Sequence, residues 1–595
     1  MMPHSKLKLG GAGMRANFRR TLLLSTCFAF TAIGGGNVAH AADCASLMGV
    51  TFASVQITAA SSVTSIDLKN AAGTTSVTKP FCRVQAVARP TPDSEILFEI
   101  WLPPTAEAWN GRMKTEATGG YLGGIPYGRM AQELEAGFAE VGTNLGHEGG
   151  EAESWALGHP EKVNDYAYRT HYYVANTAKA VITTFYGQAP KKAYFDGCSG
   201  GGRQGQMMAQ RYPDLYDGII VGAPTMFYSD DIMHLIWQNV LHRTTPGSET
   251  IIPAAKLPMI NADVKAQCDA KDGLKDGEIT DPRACGYDPK RLQCKAGDAA
   301  DCLTPQQVDL VRATYRGSHT SAGVTLMPGP QPGSEFLWQG MANTAVTGGY
   351  GNFIGHFFYG KKDFDWRKIN FDTDYDAIRQ KLDAILAAPS PDLTRFKARG
   401  GKIIQYHGWN DATNTPSESP NFFAALAVFE KYQANPAGLD KALSELSPGE
   451  IAALVLSSKD VQNYYRLFMV PGMAHCNGGA GPTAFNQSRG SQSPTTGPDQ
   501  DIVSALVRWV EQGVPPESLI ATQFSGGEGS RTVVRQRPLC AYPKVAKYTG
   551  KGDVNAAASF SCVAPSKATV TPTPADLVQI GNAIKWRGNL TPVAP

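Results

Sequence analysis

Apolar and polar residues change their spacing along this chain in a way that reads as strands joined by helices. Between residues 46 and 87 the two alternate in short runs, as in Val50-Thr-Phe-Ala-Ser-Val-Gln-Ile57, the period-two pattern of half-buried β-structure. Glu95-Ile-Leu-Phe-Glu-Ile-Trp-Leu102 predicts another strand, stopped by Pro103-Pro104. Lys191-Lys-Ala-Tyr-Phe-Asp196 predicts a short one. After it, Met207, Met208 and Tyr212 recur at helical spacing, and Pro213 stands where that helix must stop. The apolar runs 217–223, 402–406 and 465–470 read as buried strands, and 502–512, with Leu506, Val507 and Val510 on one face, as a helix. Strands alternating with helices predict an α/β fold around a doubly wound parallel sheet.

The stretch from about 226 to 395 breaks the alternation. It holds four cysteines, an acidic loop, a Gly/Pro-rich passage at 328–333 and an aromatic cluster that includes Phe336, Trp338, Tyr350, Phe353, Phe357, Trp366 and Phe364. It reads as a large inserted lid, which divides the chain into a leader (1–41), a first catalytic part (42–225), the lid (226–395) and a second catalytic part (396–595). No fixed-period repeat is evident, and the Ser/Thr/Pro/Gly run at 481–498 reads as an exposed loop.

Composition narrows the class. Of 595 residues 42% are hydrophobic and 18% charged, which excludes a disordered chain. Formal net charge is +2; residues 1–41 hold five basic and no acidic side chain, so the remainder is near −3. Nothing there points to nucleic acid or an anionic membrane. Arg19-Arg20, the apolar run 22–33 and Ala39-His40-Ala41 read as a cleaved export signal, by the general or the twin-arginine route. The run is too short for a permanent membrane anchor, and the protein is expected to be secreted or periplasmic. Cleavage leaves ten cysteines, an even number, bound for an oxidising compartment. Ten cysteines admit about 945 pairings, so spacing alone does not fix connectivity. The guess that closes the smallest loops joins Cys44 to Cys82, Cys268 to Cys285, Cys294 to Cys302 and Cys540 to Cys562, leaving Cys198 and Cys476.

Those two cysteines each adjoin a residue with chemistry to offer. Gly197-Cys198-Ser199-Gly200-Gly201 is a G-x-S-x-G pentapeptide between a predicted strand and a predicted helix, the setting of a nucleophile elbow. A serine hydroxyl needs a base, and the base an orienting acid. α/β-Hydrolases carry the three in the order Ser, Asp or Glu, His. His475, in Pro471-Gly-Met-Ala-His-Cys476, and Asp411, in His407-Gly-Trp-Asn-Asp411, follow predicted strands in that order. A cystine between Cys198 and Cys476 would hold Ser199 and His475 together across 276 positions of sequence. Gly200 and a glycine of Thr118-Gly119-Gly120-Tyr-Leu-Gly-Gly124 are candidates for the two oxyanion-hole N–H donors. His407 is a candidate substrate contact. Asp269, Asp272 and Asp276, with main-chain oxygens of Leu274 and Glu278, have a spacing that could wrap one calcium ion, bracketed by Cys268 and Cys285. The alternative is a solvated acidic turn.

Taken together, Cys198-Ser199, Asp411 and His475-Cys476 resemble the tannase and feruloyl esterase family, which includes the enzyme that cleaves mono(2-hydroxyethyl) terephthalate. The acidic lid loop, Trp509-Val-Glu-Gln-Gly-Val-Pro515 and Arg537-Pro-Leu-Cys-Ala-Tyr-Pro543 carry the likeness along the mature chain. The resemblance implies Ser199 as nucleophile, His475 as general base and acid, Asp411 as orienting carboxylate, and a cystine joining Cys198 to Cys476. It also implies structural calcium at Asp269, Asp272, Leu274, Asp276 and Glu278, and a small aromatic ester as substrate. Asn414 stands where the terephthalate-monoester enzyme has an aromatic side chain, which makes that activity the second choice. A calcium-stabilised binding protein without activity is the rival from another class, and a peptidase or amidase the rival among enzymes.

Overall fold

The computed structural model describes residues 41–70, 73–149, 154–245, 248–347, 349–488, 490–526 and 530–586. The leader read from 1–41 lies outside them, Ala41 excepted. Nine strands form the main sheet: β1 (Val55–Val63), β2 (Phe81–Ala88), β3 (Ile96–Leu102), β4 (Arg112–Glu116), β5 (Ala139–Thr143), β6 (Lys192–Cys198), β7 (Gly218–Gly222), β8 (Lys402–Gly408) and β9 (Tyr465–Val470). Their order is β1-β2-β3-β5-β4-β6-β7-β8-β9. From β5 to β9 the pairing is parallel, whereas β1, β2 and β3 form an antiparallel meander whose last strand pairs antiparallel with β5. The sheet is therefore mixed, and the all-parallel expectation holds only for its larger half. The link 89–95 between β2 and β3 is too short for the crossover that parallel neighbours require, and the longer link between β1 and β2 is taken up by a separate hairpin, Ile66–Asn70 with Gly73–Val77.

Alternate residues of the parallel strands enter different cores, which is why these strands are apolar at neighbouring as well as alternate positions. Phe195, Ile219, Val221, Ile403 and Leu467 pack on one face with helices α1 (Thr170–Tyr186), α2 (Gly200–Arg211) and, later in the chain, Glu418–Tyr432. Tyr194, Ile220, Ile404, Tyr406 and Phe468 face the other way, onto the helix Ile502–Gln512 through Ile502, Leu506 and Trp509. Between β7 and β8 the regular structure is mainly helical, joined by long loops. Tyr228–Leu241 and Tyr375–Leu386 are its largest helices flanking the aromatic core of Phe353, Ile354, Trp366 and Tyr375, and its only strands among the described residues are Ser318–His319 and Thr325–Met327. Tyr121 and Tyr166, from the chain before β6, are part of that aromatic core.

The registers set the functional edge. Glu116 pairs with Asp196, Cys198 with Gly222, Gly222 with Tyr406, and Gly408 with Val470. The C-terminal ends of β4, β6, β7, β8 and β9 thus lie along one edge, where open α/β sheets bind ligands. No helix among the described residues is long and apolar enough to cross a membrane.

Candidate active site

Ser199 occupies the turn between β6 and α2 with φ 62° and ψ −124°, a backbone conformation that L-residues rarely adopt. Its N–H donates to Gly222 O at 2.9 Å, so the turn is pinned to the neighbouring strand. The sharpness of this turn explains the flanking glycines. A Cβ on Gly197 would stand 2.6 Å from the Gly201 carbonyl carbon, and one on Gly200 would stand 2.5 Å from Gly120 O. Gly120 is held in turn, since Tyr166 Oη donates to its carbonyl at 2.7 Å. The segment 118–120 therefore lies directly against the elbow. Gly119 and Gly120 line one cavity of about 390 Å³ together with Ser199, His475, Leu122, Tyr350 and Thr413. Gly200 opens α2, where the first N–H groups of a helix have no intrahelical acceptor.

The other half of the site is built by two loops laced together. Trp409 N donates to Val470 O at 2.9 Å and Asn410 N to Met473 O at 2.9 Å, which ties the loop after β8 to the loop after β9. Asp411, fully buried, accepts from Thr413 N (2.8 Å) and Asn414 N (3.0 Å) on Oδ1. Its Oδ2 lies 2.6 Å from His475 Nδ1. Burial alone would raise the Asp411 carboxyl, but His475 and the hydrogen bonds from His407 and His475 hold it well below the usual carboxylate range. His475 is also buried against its charged form, and the Asp411 charge overcomes that, leaving the imidazole above its ordinary value. The His475 side chain keeps 27% of its surface exposed, on the cavity side.

Cys198 and Cys476 are disulfide-bonded, with Cα atoms 5.9 Å apart and a sequence separation of 278. The other four pairs are those of the smallest-loop guess: 44–82, 268–285, 294–302 and 540–562. The Cys198–Cys476 bridge joins the residue before Ser199 to the residue after His475. Both sequence-predicted residues line one cavity.

His407 is placed differently from its expectation as a substrate contact. It is fully buried and is not among the residues lining the cavity; its Nε2 lies 3.3 Å from Asp411 Oδ2. The reason is the β8 register, which carries its side chain under the loop instead of onto it.

The acidic loop is ordered by its own amides. Asp269 accepts from Asp276 N (3.1 Å) and Gly277 N (2.9 Å), Asp272 from Leu274 N (2.9 Å) and Thr280 Oγ1 (2.5 Å), and Asp276 from Glu278 N (3.2 Å) and Arg537 Nη2 (2.5 Å). Glu278 Oε2 is buried with no hydrogen-bond partner. Among the described residues no group of three or more His, Cys, Asp or Glu side chains is arranged to hold a metal ion.

A cluster that the sequence reading passed over lies at the floor of the cavity. Lys114 and Glu116 on β4 and Asp196 on β6 are buried with Arg129 and Glu133. Lys114 pairs with Glu116 and, at 3.1 Å, with Asp196, while Arg129 Nη2 donates to Asp196 Oδ2 at 2.8 Å. Burial pushes the Glu116 carboxyl up to about 7 against the pull of Lys114 and Arg129. These ion pairs join the strand that precedes the 118–120 segment to the strand that carries Ser199.

Three comparisons bear on this geometry. The family described as tannase and feruloyl esterase matches over residues 82–563. An uncharacterised esterase of Xanthomonas campestris pv. campestris is 34% identical over 575 residues, covering 92% of this chain and 96% of its own. A probable feruloyl esterase B-2 of Aspergillus terreus is 32% identical over 521 residues, covering 86% of this chain and 92% of its own. Among solved structures, feruloyl esterase B from Aspergillus oryzae superposes with a TM-score of 0.75 at 28% identity, over 87% of this chain and 99% of that one.

Proposed function

The chain belongs to the tannase and feruloyl esterase family and is a carboxylic ester hydrolase; from that premise we propose that it is an exported serine esterase that cleaves esters of phenolic acids through a Ser199–His475–Asp411 acyl-enzyme mechanism. The observation that carries the proposal is the cystine, which bonds the neighbour of Ser199 to the neighbour of an imidazole already held by a buried aspartate. Ser199 Oγ attacks the ester carbonyl while His475 takes its proton; His475 then gives that proton to the departing alcohol. Water repeats the sequence and releases the acid. The N–H groups of Gly200 and of Gly120 or Gly119 receive the oxyanion charge. The ground for export is five cystines, which form in oxidising compartments.

A phenolic acyl group is favoured by the lining. Tyr350 and Leu122 offer apolar surface beside the polar Thr413, in a volume suited to a single ring and its linker. Asn414 is buried with its Nδ2 donated to Ala223 O at 2.9 Å, so it gives the cavity no aromatic face and the terephthalate-monoester activity stays second. Purified enzyme assayed on methyl ferulate, methyl gallate and mono(2-hydroxyethyl) terephthalate is expected to turn over the phenolic esters with the higher kcat/KM. Faster cleavage of the terephthalate monoester would reverse that order, and cleavage of amides but not esters would overturn the class.

The pH profile follows from the two charge shifts. Catalysis needs neutral His475, and Asp411 holds its proton more firmly than in free imidazole. The acid limb of kcat/KM is therefore expected above the ordinary imidazole value of about 6.5. In Asp411→Asn the burial of His475 is no longer opposed, so the limb should move to lower pH while kcat falls. A limb that stays in place would separate it from His475.

Calcium enters the proposal on the spacing of Asp269, Asp272, Leu274, Asp276 and Glu278 alone, as a structural ion through which no catalytic step passes. An ion held at about 100 times its Kd adds about 2.7 kcal/mol of stability. EDTA is thus expected to lower Tm by a few degrees, and calcium to restore it. An unchanged Tm would remove the ion and leave the esterase reading intact.

A further inference from the structure

Behind Asp411 runs a chain of fully buried polar side chains that the mechanism above does not use. Gln206, on α2 just beyond the elbow, donates from Nε2 to Tyr465 Oη at 2.5 Å, and Tyr465 donates to Gln405 Oε1. Gln405 Nε2 donates to Ser419 Oγ at 2.6 Å, and Ser419 Oγ lies 2.7 Å from His407 Nδ1. His407 Nε2 faces two acceptors, Asp411 Oδ2 and Asn414 O, each at 3.3 Å. An imidazole nitrogen between two acceptors carries its proton, so in the neutral ring Nδ1 is the acceptor. Ser419 fits that tautomer, because its oxygen receives the Gln405 N–H and its own proton is free for Nδ1. All six side chains from Gln206 to Asp411 are buried to 0% exposure, where an unmade hydrogen bond is expensive and the order of donors is fixed.

The end of the chain is what gives it a function. Asp411 Oδ2, which His407 approaches, is the oxygen that holds His475 Nδ1 at 2.6 Å. The two backbone amides of Thr413 and Asn414 hold the other oxygen, Oδ1. Without His407 the only other partner of Oδ2 would be His475 itself, the group to be positioned, and the pair could turn together about the Oδ1 grip. We propose that His407, locked by Ser419 as the Nε2–H tautomer, is a positioning residue that fixes Asp411 Oδ2 against His475. The inference rests on the roles given to Asp411 and His475 above. It also explains why the chain starts on the helix behind Ser199: Gln206, Tyr465 and Gln405 tie that helix to β9 and β8, the strands whose loops carry His475 and Asp411.

The test compares His407→Leu, which removes the donor, with His407→Gln, whose amide N–H can stand near the Nε2 position. Misplacement by about 1 Å at a catalytic group changes rates by about 100-fold. His407→Leu is therefore expected to lower kcat by about 10- to 100-fold with KM within about two-fold, and His407→Gln to recover most of the loss. With the donor gone the Asp411 charge is less dispersed and holds the His475 proton more firmly, so the acid limb should move to higher pH in His407→Leu and stay near wild type in His407→Gln. Ser419→Ala, which frees the tautomer but keeps the ring, should show the same changes at smaller size. Equal losses in the Leu and Gln variants, or an acid limb that moves in none of the three, would overturn the proposal. If His407→Leu does not fold, Ser419→Ala decides: wild-type kcat and pH profile would overturn it. Full activity in Asp411→Asn would instead overturn the triad reading beneath it.

Discussion

Ser199→Ala is expected to lower kcat on an aromatic ester by about 10⁴-fold or more, with KM little changed and the fold intact. The size follows from the chemistry the hydroxyl carries. Without Oγ there is no acyl-enzyme, and only water attacking an ester held near the oxyanion donors remains, a route that retains about 10³–10⁴ over the uncatalysed reaction. The fold should persist because the elbow is held by backbone, through Ser199 N to Gly222 O and the close passage of Gly200 under Gly120. Steady-state kinetics with circular dichroism and a melting curve check both halves. Retained turnover at normal stability would mean that another nucleophile does the work.

Replacing both Cys198 and Cys476 by alanine is the second large effect, and it strikes activity and stability together. In chain-entropy terms a cross-link spanning 278 positions contributes roughly 5–6 kcal/mol. The loops bearing Ser199 and His475 would keep their own ties, Ser199 N to Gly222 O and Asn410 N to Met473 O, but lose the covalent constraint between them. A relative displacement of about 1 Å is enough to lower kcat by about 100-fold. The Cys44→Ala/Cys82→Ala variant separates the two effects. That pair joins an N-terminal 3₁₀ turn to β2, away from the cavity, so its loss should lower Tm and leave kcat within about two-fold of wild type. Equal kcat losses in the two variants would show that the 198–476 bridge matters only for stability.

The parts of this molecule that were legible in the sequence are those where pattern and structure share one cause. Residues 192–198, 218–222, 402–408 and 465–470 are strands buried on both faces, and they read as short, mainly apolar runs. The helix 502–512 presents Leu506 and Trp509 to the sheet and polar residues outward, so its period was visible. Ser199, His475 and the ten cysteines were legible because glycine-rich turns and cysteine pairs are scarce and local. Residues 112–116, by contrast, are a central strand with Arg112, Lys114 and Glu116 at three of five positions. The burial of Lys114 and Glu116 is made possible by Glu133, Arg129 and Asp196, which arrive from a helix and another strand. No local pattern announces partners so distant. His407 shows the same limit on the site: its neighbour Asp411 was readable as a loop aspartate after a strand, but which way an imidazole on β8 points is set by register, and register is a tertiary fact.

A fluorophosphonate that esterifies activated serines tests the catalytic centre most directly. Wild-type enzyme treated with one equivalent should lose ester turnover in step with labelling. After reduction and trypsin digestion, mass spectrometry should find the adduct on Ser199, within peptide 193–203, and labelling should slow by orders of magnitude in His475→Ala. An adduct on any other serine accompanying the loss of activity, or complete labelling at Ser199 with turnover undiminished, would contradict it.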